Sequence, residues 1–88
     1  MRILFRAHAL QRLIERRITK ECVKKILKEG TIIESYPDDR PYGSYLALGW
    51  CGDRPVHIVY AKSDEALIII TAYEPDPAKW SADFTQRI

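Results

Sequence analysis

The sequence lacks the features of a membrane-spanning protein, a zinc-binding protein or a magnesium enzyme. Its longest apolar run, Ala66–Ile70, is far shorter than the roughly 20 apolar residues that a membrane-spanning helix needs. Its two histidines and two cysteines do not have the spacing of a zinc motif. The carboxylates of Asp38 and Asp39 alone are too few to favour a magnesium site. We therefore expect no metal, no cofactor and no membrane association.

Cysteine is scarce, and its placement predicts a reducing environment. Cys22 and Cys51 are isolated in the sequence, with no Cys-x-x-Cys pair. Cys22 shares an apolar helical stripe with Val23 and Ile26, where a free thiol packs as a small hydrophobic group. Unpaired cysteines and the lack of a leader sequence together predict a cytoplasmic protein.

A large net charge is absent, but the charged residues are distributed unevenly along the chain. The 88 residues are expected to form one domain, residues 1–88, and carry a net charge of +2. Residues 1–30 contain nine Lys or Arg and three Asp or Glu, a net +6, whereas residues 31–88 contain five and nine, a net −4. The basic third fits either an anionic partner or the packing of two charge-complementary halves.

Apolar residues in the basic third recur with helical periodicity and predict two helices. One runs from Ala7 to Arg16 or Arg17, and the other from an N-cap at Thr19 to about Glu29. Gly30 is the expected left-handed stop of the second helix. The short break between the two helices predicts a helical hairpin.

From residue 31 onward the apolar residues alternate, which is typical of β-strands. The predicted strands are Thr31–Tyr36, Ser44–Cys51, Pro55–Ala61 and Leu67–Tyr73, with a candidate N-terminal edge strand over Ile3–Arg6. The predicted fold class is α+β, an N-terminal helical hairpin packed on a four-stranded antiparallel sheet whose other face stays partly open. Trp80 and Phe84, four residues apart, predict a C-terminal helical turn that docks through its aromatic rings.

The first candidate functional residues lie on the first helix. His8, Arg12 and Arg16 are spaced four residues apart and share one helix face. Histidine is the side chain that titrates near neutral pH, and arginine binds phosphate through a planar fork of donors. This combination suggests phosphodiester chemistry, and the alternative is a solvated helix face.

Further candidates lie in the strands and in the loop that follows the first of them. His57 is either a general acid or base on the open face or a structural histidine. Tyr73 lies on the neighbouring strand, and the register decides whether it shares the face of His57. Arg40 either binds phosphate or pairs with Asp38 or Asp39. Histidine, tyrosine and arginine together would supply the proton transfers and the positive charge of metal-free RNA cleavage.

The candidates fall within an ordered series of motifs. The series is Phe5-x-x-His8-Ala9-x-x-Arg12, Tyr36-Pro37-Asp38-Asp39-Arg40-Pro41, Arg54-Pro55-x-His57-x-Val59 and Ile70-Thr71-Ala72-Tyr73-Glu74-Pro75-Asp76. It resembles a small prokaryotic domain-of-unknown-function family and covers nearly the whole chain. That family is in turn similar to the RelE-like toxins, within the barnase, colicin and RelE-type ribonuclease fold.

The resemblance implies a function, partners and site residues. It implies a metal-independent endoribonuclease toxin that cleaves RNA, free or on the ribosome, and is blocked by a cognate antitoxin of the zinc-finger type. The implied catalytic residues are His8, Arg12, Arg40, His57 and Tyr73. Two alternatives remain: a non-catalytic RNA- or protein-binding module on the same fold, and a DNA-binding helix-turn-helix formed by the two helices.

Overall fold

A five-stranded sheet with two helices on one face accounts for the fold of this computed structural model, which describes all 88 residues. The elements in chain order are β1 (Arg2–Phe5), α1 (Ala7–Arg16), α2 (Lys20–Glu29), β2 (Thr31–Tyr36), β3 (Ser44–Cys51), β4 (Arg54–Lys62) and β5 (Ala66–Tyr73). The predicted α+β class is confirmed, and the predicted helices and strands are present with nearly the predicted bounds.

The sheet is mixed and has five strands rather than being a purely antiparallel sheet of four. Its strand order is β1-β5-β4-β3-β2. Strands β2 to β5 form the predicted antiparallel meander, whereas β1 pairs in parallel with β5 and places Ile3 opposite Leu67. The candidate edge strand is therefore a true edge strand. The two helices carry the chain from β1 at one edge of the sheet to β2 at the other.

The two helices cover different strands of the same sheet face. α1 packs on β5, and α2 packs on β3. The core between the layers contains Ala9, Leu13, Val23, Ile26, Ala47, Val56, Ile58, Ile69 and Ala72. Burial of these apolar side chains is the main force that holds the helices to the sheet. Each helix has ten residues, and neither is long and apolar enough to cross a membrane.

The ends of the helices differ from the prediction at one residue. Thr19 caps α2 as predicted, and its hydroxyl accepts the backbone N–H of Cys22 at 3.0 Å. The left-handed residue is Arg17, at φ 54°, which ends α1. The prediction of a left-handed stop at Gly30 is wrong, because Gly30 is extended. A Cβ at Gly30 would lie 2.5 Å from the carbonyl oxygen of Leu48, so the close approach of α2 to β3 explains the glycine.

A disulfide joins the helical layer to the sheet. Cys22 on α2 and Cys51 at the end of β3 form this bond, with their Cα atoms 5.8 Å apart. The prediction of two unpaired cysteines is therefore wrong, and the argument from cysteine usage for a reducing compartment no longer applies. The two residues are 29 positions apart in the sequence and lie on a helix and a strand, so no local spacing pattern indicates their proximity.

Residues 75–88 form turns and a single β-bridge rather than the predicted helical turn. The bridge pairs Trp80 with Arg87. Phe84 has a φ of 63°, which lies outside the right-handed helical region, so the helical prediction is wrong here. The expected aromatic docking does occur, since only 5% of Trp80 is exposed.

Loss of the disulfide is expected to lower the free energy of unfolding by about 2–4 kcal/mol, because the cross-link restricts the unfolded chain. Urea unfolding of the wild-type protein with and without reductant measures this difference. The double variant Cys22→Ser, Cys51→Ser is the matched control and should be as stable as the reduced wild type. Equal stability of the oxidised and reduced wild type would contradict the prediction.

Candidate functional site

The sheet face opposite the helices has two halves, one covered by the C-terminal segment and one open. His57 in the covered half and Tyr73 at the border of the open half are neighbours on this face. The register pairs Leu48 with His57 and His57 with Tyr73 across β3, β4 and β5. Directly paired residues share a face, so His57 and Tyr73 lie side by side on the face away from the helices. This register answers the question that the sequence left open.

The C-terminal segment, residues 80–88, covers the half of this face that contains His57. The ring of Trp80 packs edge-on against the ring of His57, with centroids 4.4 Å apart. The guanidinium of Arg87 lies 4.7 Å from the centroid of Trp80. It also forms a bidentate ion pair with the carboxylate of Glu34, at 2.9 and 3.1 Å. The segment therefore closes part of the face that the sequence predicted to be open.

His57 is fully buried under this segment, and both of its ring nitrogens have partners. Nε2 lies 2.9 Å from the carbonyl oxygen of Phe84, and Nδ1 lies 3.3 Å from the hydroxyl of Tyr73. Burial lowers the pKa of His57 below its ordinary value of 6.5. The His57 ring is thus inaccessible from the cleft, and Tyr73 is its hydrogen-bond partner on the side of the open half.

The open half contains two adjoining cavities, which we call the cleft. One, of about 390 Å³, is lined by Glu34, Tyr36, Asp39, Ser44, Tyr45, Leu46, Val59, Tyr73 and Arg87. The other, also of about 390 Å³, is lined by Arg6, His8, Asp39, Arg40, Pro41, Tyr42, Ser44, Ala61 and Ile70. Asp39 and Ser44 line both cavities, and the Ser44 hydroxyl donates a hydrogen bond to the Asp39 carboxylate.

Three of the five predicted site residues line the cleft. His8 comes from the first turn of α1, Arg40 from the loop between β2 and β3, and Tyr73 from the end of β5. His8 and Arg40 line the same cavity, and Tyr73 lines the adjoining one. A fourth, His57, lies behind Tyr73 and outside the cleft.

The other arginines of the predicted helix face have partners away from the cleft. Arg12 donates to the carboxylate of Glu15 at 3.0 Å on the exposed surface of α1. Arg16 donates to the backbone carbonyl of Ala72 at 2.8 Å and so ties the end of α1 to β5. The four-residue spacing placed His8, Arg12 and Arg16 on one helix face, but only His8 reaches the cleft.

Several residues that line the cleft were not selected from the sequence. Glu34 and Tyr36 alternate along β2, and the Tyr36 hydroxyl donates to the Glu34 carboxylate at 2.7 Å. The hydrogen bonds from Arg87 hold the pKa of Glu34 below its ordinary value. Period-two spacing is the one local signal that could have paired Glu34 with Tyr36. Arg87 has no such signal, because its position depends on the return of the chain across the sheet.

The cleft combines positive charge with groups that exchange protons. Arg6 and Arg40 provide guanidinium donors for an anion, and His8 provides an exposed imidazole. Burial raises the pKa of Tyr73 above its ordinary value of 10.0, so its phenol keeps its proton at neutral pH. No group of three or more His, Cys, Asp or Glu side chains that could hold a metal ion is found. Chemically, the cleft can bind a phosphate and take part in proton transfer.

Stability is expected to fall as the pH is lowered below about 6.5, because His57 is buried neutral and its folded pKa is depressed. The unfolded chain then binds a proton that the folded chain resists, and the loss continues until the pH passes the lowered folded pKa. One such proton gives at most about 1.4 kcal/mol per pH unit. Urea unfolding between pH 5 and 7.5 should show this slope in the wild type and a smaller slope in His57→Gln. Equal slopes in the two proteins would contradict the assignment.

The fold and the cleft define a class of small α+β domain in which two adjoining cavities present arginines, a histidine and a tyrosine. Residues 5–74 match the family described as a domain of unknown function (DUF4258), and the chain belongs to this family. The predicted membership of a domain-of-unknown-function family is thereby confirmed. The match contains His8, Arg40, His57 and Tyr73 and ends before the C-terminal segment. Neither the comparison with curated proteins nor the comparison with solved structures finds a significant match.

Proposed function

We propose that this chain is a metal-independent endoribonuclease, a RelE-like toxin that cleaves RNA in the cleft. One observation carries the proposal. His8 and Arg40 come from distant parts of the chain and line one cavity, which shares Asp39 and Ser44 with the cavity that Tyr73 lines. An imidazole and a phenol can supply the acid and the base, and a guanidinium the positive charge, that phosphodiester cleavage without a metal requires.

The proposed reaction uses the 2′-hydroxyl of RNA as the nucleophile. The 2′-oxygen forms a bond to phosphorus, the bond from phosphorus to the 5′-oxygen breaks, and the products are a 2′,3′-cyclic phosphate and a 5′-hydroxyl. One group removes the 2′ proton, and another protonates the leaving 5′-oxygen. His8 and Tyr73 are the candidates for these roles, because His57 is screened from the cleft. Arg40 and Arg6 bind the phosphate and stabilise its added negative charge.

RNA binding without cleavage is the second candidate function. It is favoured by the burial of His57 and by the ion pair between Arg12 and Glu15. Two of the five predicted catalytic residues therefore lie outside the cleft. A chain of this kind would bind RNA in a salt-dependent way and leave it intact.

We propose further that the chain acts on RNA in the cytoplasm and is bound there by an antitoxin. A toxin of this class is held inactive by a cognate antitoxin, which we propose to be of the zinc-finger type. The substrate is RNA, free or on the ribosome, and the location that provides it is the cytoplasm. The location rests on the substrate alone, since the cysteines no longer support it.

Replacing His8 with alanine is expected to lower the rate of RNA cleavage by about 10²–10⁴-fold, the usual contribution of a general acid or base. The assay follows a single-stranded RNA oligonucleotide in the presence of EDTA, with purified folded protein. Lys24→Ala is the matched control, because Lys24 is exposed on α2 and lines neither cavity.

Two results of this assay would contradict the proposal. RNA left intact by the wild-type protein, at concentrations where it binds, would favour the second candidate function. Cleavage of an oligonucleotide whose 2′-hydroxyls are all methylated would exclude the 2′-oxygen as the nucleophile.

Replacing Arg40 with alanine is expected to weaken the salt dependence of RNA binding, because one phosphate contact is lost. For a single-stranded RNA, the slope of log K against log salt should decrease in magnitude by about 0.7. Fluorescence anisotropy with a labelled RNA at several salt concentrations measures the slope. Lys24→Ala should leave it unchanged, and an equal effect of the two variants would place Arg40 outside the RNA-binding site.

A further inference from the structure

The hydrogen bonds of His57 determine which way the hydroxyl of Tyr73 points. The Phe84 carbonyl can only accept, so His57 Nε2 carries the ring proton and donates it at 2.9 Å. In a neutral ring the other nitrogen, Nδ1, then has only a lone pair. Tyr73 must therefore donate its single hydroxyl proton to Nδ1, across 3.3 Å. The remaining lone pairs of the Tyr73 oxygen are free to accept.

The C-terminal segment holds the His57 ring in this state. Its backbone supplies the Phe84 carbonyl, and its Trp80 ring packs against the imidazole. The Phe84 ring is itself packed against Trp50, with centroids 6.1 Å apart. Burial under these side chains keeps the imidazole neutral, which preserves the acceptor that the Tyr73 hydroxyl requires.

We propose that Tyr73 acts on the 2′-hydroxyl of the RNA, with His57 as its positioning residue, and that His8 protonates the leaving 5′-oxygen. This assignment rests on the proposed function. It states which group receives the 2′ proton and which group protonates the leaving oxygen. The Tyr73 oxygen accepts the 2′ proton while its own proton passes to His57 Nδ1, so that His57 becomes an imidazolium during the reaction, a charge that the carboxylate of Glu34 favours against the cost of burial. His8 gives its proton to the 5′-oxygen as the bond to phosphorus breaks. Water then returns a proton to His8 and receives one through Tyr73.

The roles of His8 and Tyr73 can be tested with a substrate whose leaving group needs no acid. Uridine 3′-(p-nitrophenyl phosphate) releases a stable phenolate but still requires removal of the 2′ proton. The rate of cleavage by His8→Ala should fall by about 10²–10⁴-fold on RNA and by less than about tenfold on this substrate. For Tyr73→Phe and for His57→Gln, the rate of cleavage should fall by a similar factor on RNA and on the activated substrate. The ratio of the two activities for one variant does not depend on the fraction of protein that is folded.

The possible results distinguish an error in the roles of His8 and Tyr73 from an error in the proposed function. Tyr60→Phe removes a phenol from β4 on the helix-facing side of the sheet and should leave both activities unchanged. Recovery of Tyr73→Phe, rather than His8→Ala, on the activated substrate would reverse the assignment. Loss of equal factors on both substrates by both variants would remove His8 as the acid. No cleavage of either substrate by the wild type would overturn the proposed function itself.

A second measurement tests the positioning role without any RNA. Nitrogen-15 NMR of the wild-type protein should show the His57 ring protonated at Nε2 and not at Nδ1 at neutral pH. The phenol pKa of Tyr73 should change in His57→Phe, which keeps an aromatic ring of similar shape but has no nitrogen that could accept the Tyr73 hydroxyl proton. Protonation at Nδ1, or an unchanged phenol pKa, would overturn the positioning role even if RNA is cleaved.

Discussion

The burial of His57 is the contact on which the rest of the candidate site depends. An imidazole between a sheet and a covering segment is tolerated only when both nitrogens have partners, since an unsatisfied buried polar group costs about 1–3 kcal/mol. Tyr73 from the sheet and Phe84 from the C-terminal segment supply those partners. The same two hydrogen bonds join the covered half of the face to the open half, so the position of the segment and the state of Tyr73 are coupled.

This coupling explains how one sheet face has two different environments. Trp80 and the Arg87–Glu34 ion pair hold the segment over one half, where His57 is buried and neutral. The other half keeps guanidiniums and an imidazole in contact with solvent. Glu34 and Arg87 belong to both halves of the face, since their ion pair holds the segment in place and their side chains line the cleft. A site at such a boundary places the protonated phenol of Tyr73 in the same cavity as the guanidinium of Arg87.

Elements that depend on local sequence were predictable, and contacts between distant residues were not. Alternating apolar residues defined the strands, and the Thr19 cap defined the start of α2, because both act within a few residues. The parallel pairing of β1 with β5 and the Cys22–Cys51 disulfide join distant segments. The path of the C-terminal segment likewise depends on Trp80 and Arg87 meeting side chains from β2 and β4.

The candidate site was predictable to the same extent, for the same reason. Residue type identified His8, Arg40 and Tyr73 as groups able to bind a phosphate or to transfer protons. The fold brings them to adjoining cavities. Residue type could not distinguish the two histidines, because burial decides which of them meets a ligand. His8 is on the exposed surface of a helix, whereas His57 is covered by a segment that lies outside the matched family region. A histidine covered in this way acts on a ligand only through its neighbour, so the chemistry of the cleft depends on the Tyr73 oxygen that His57 orients.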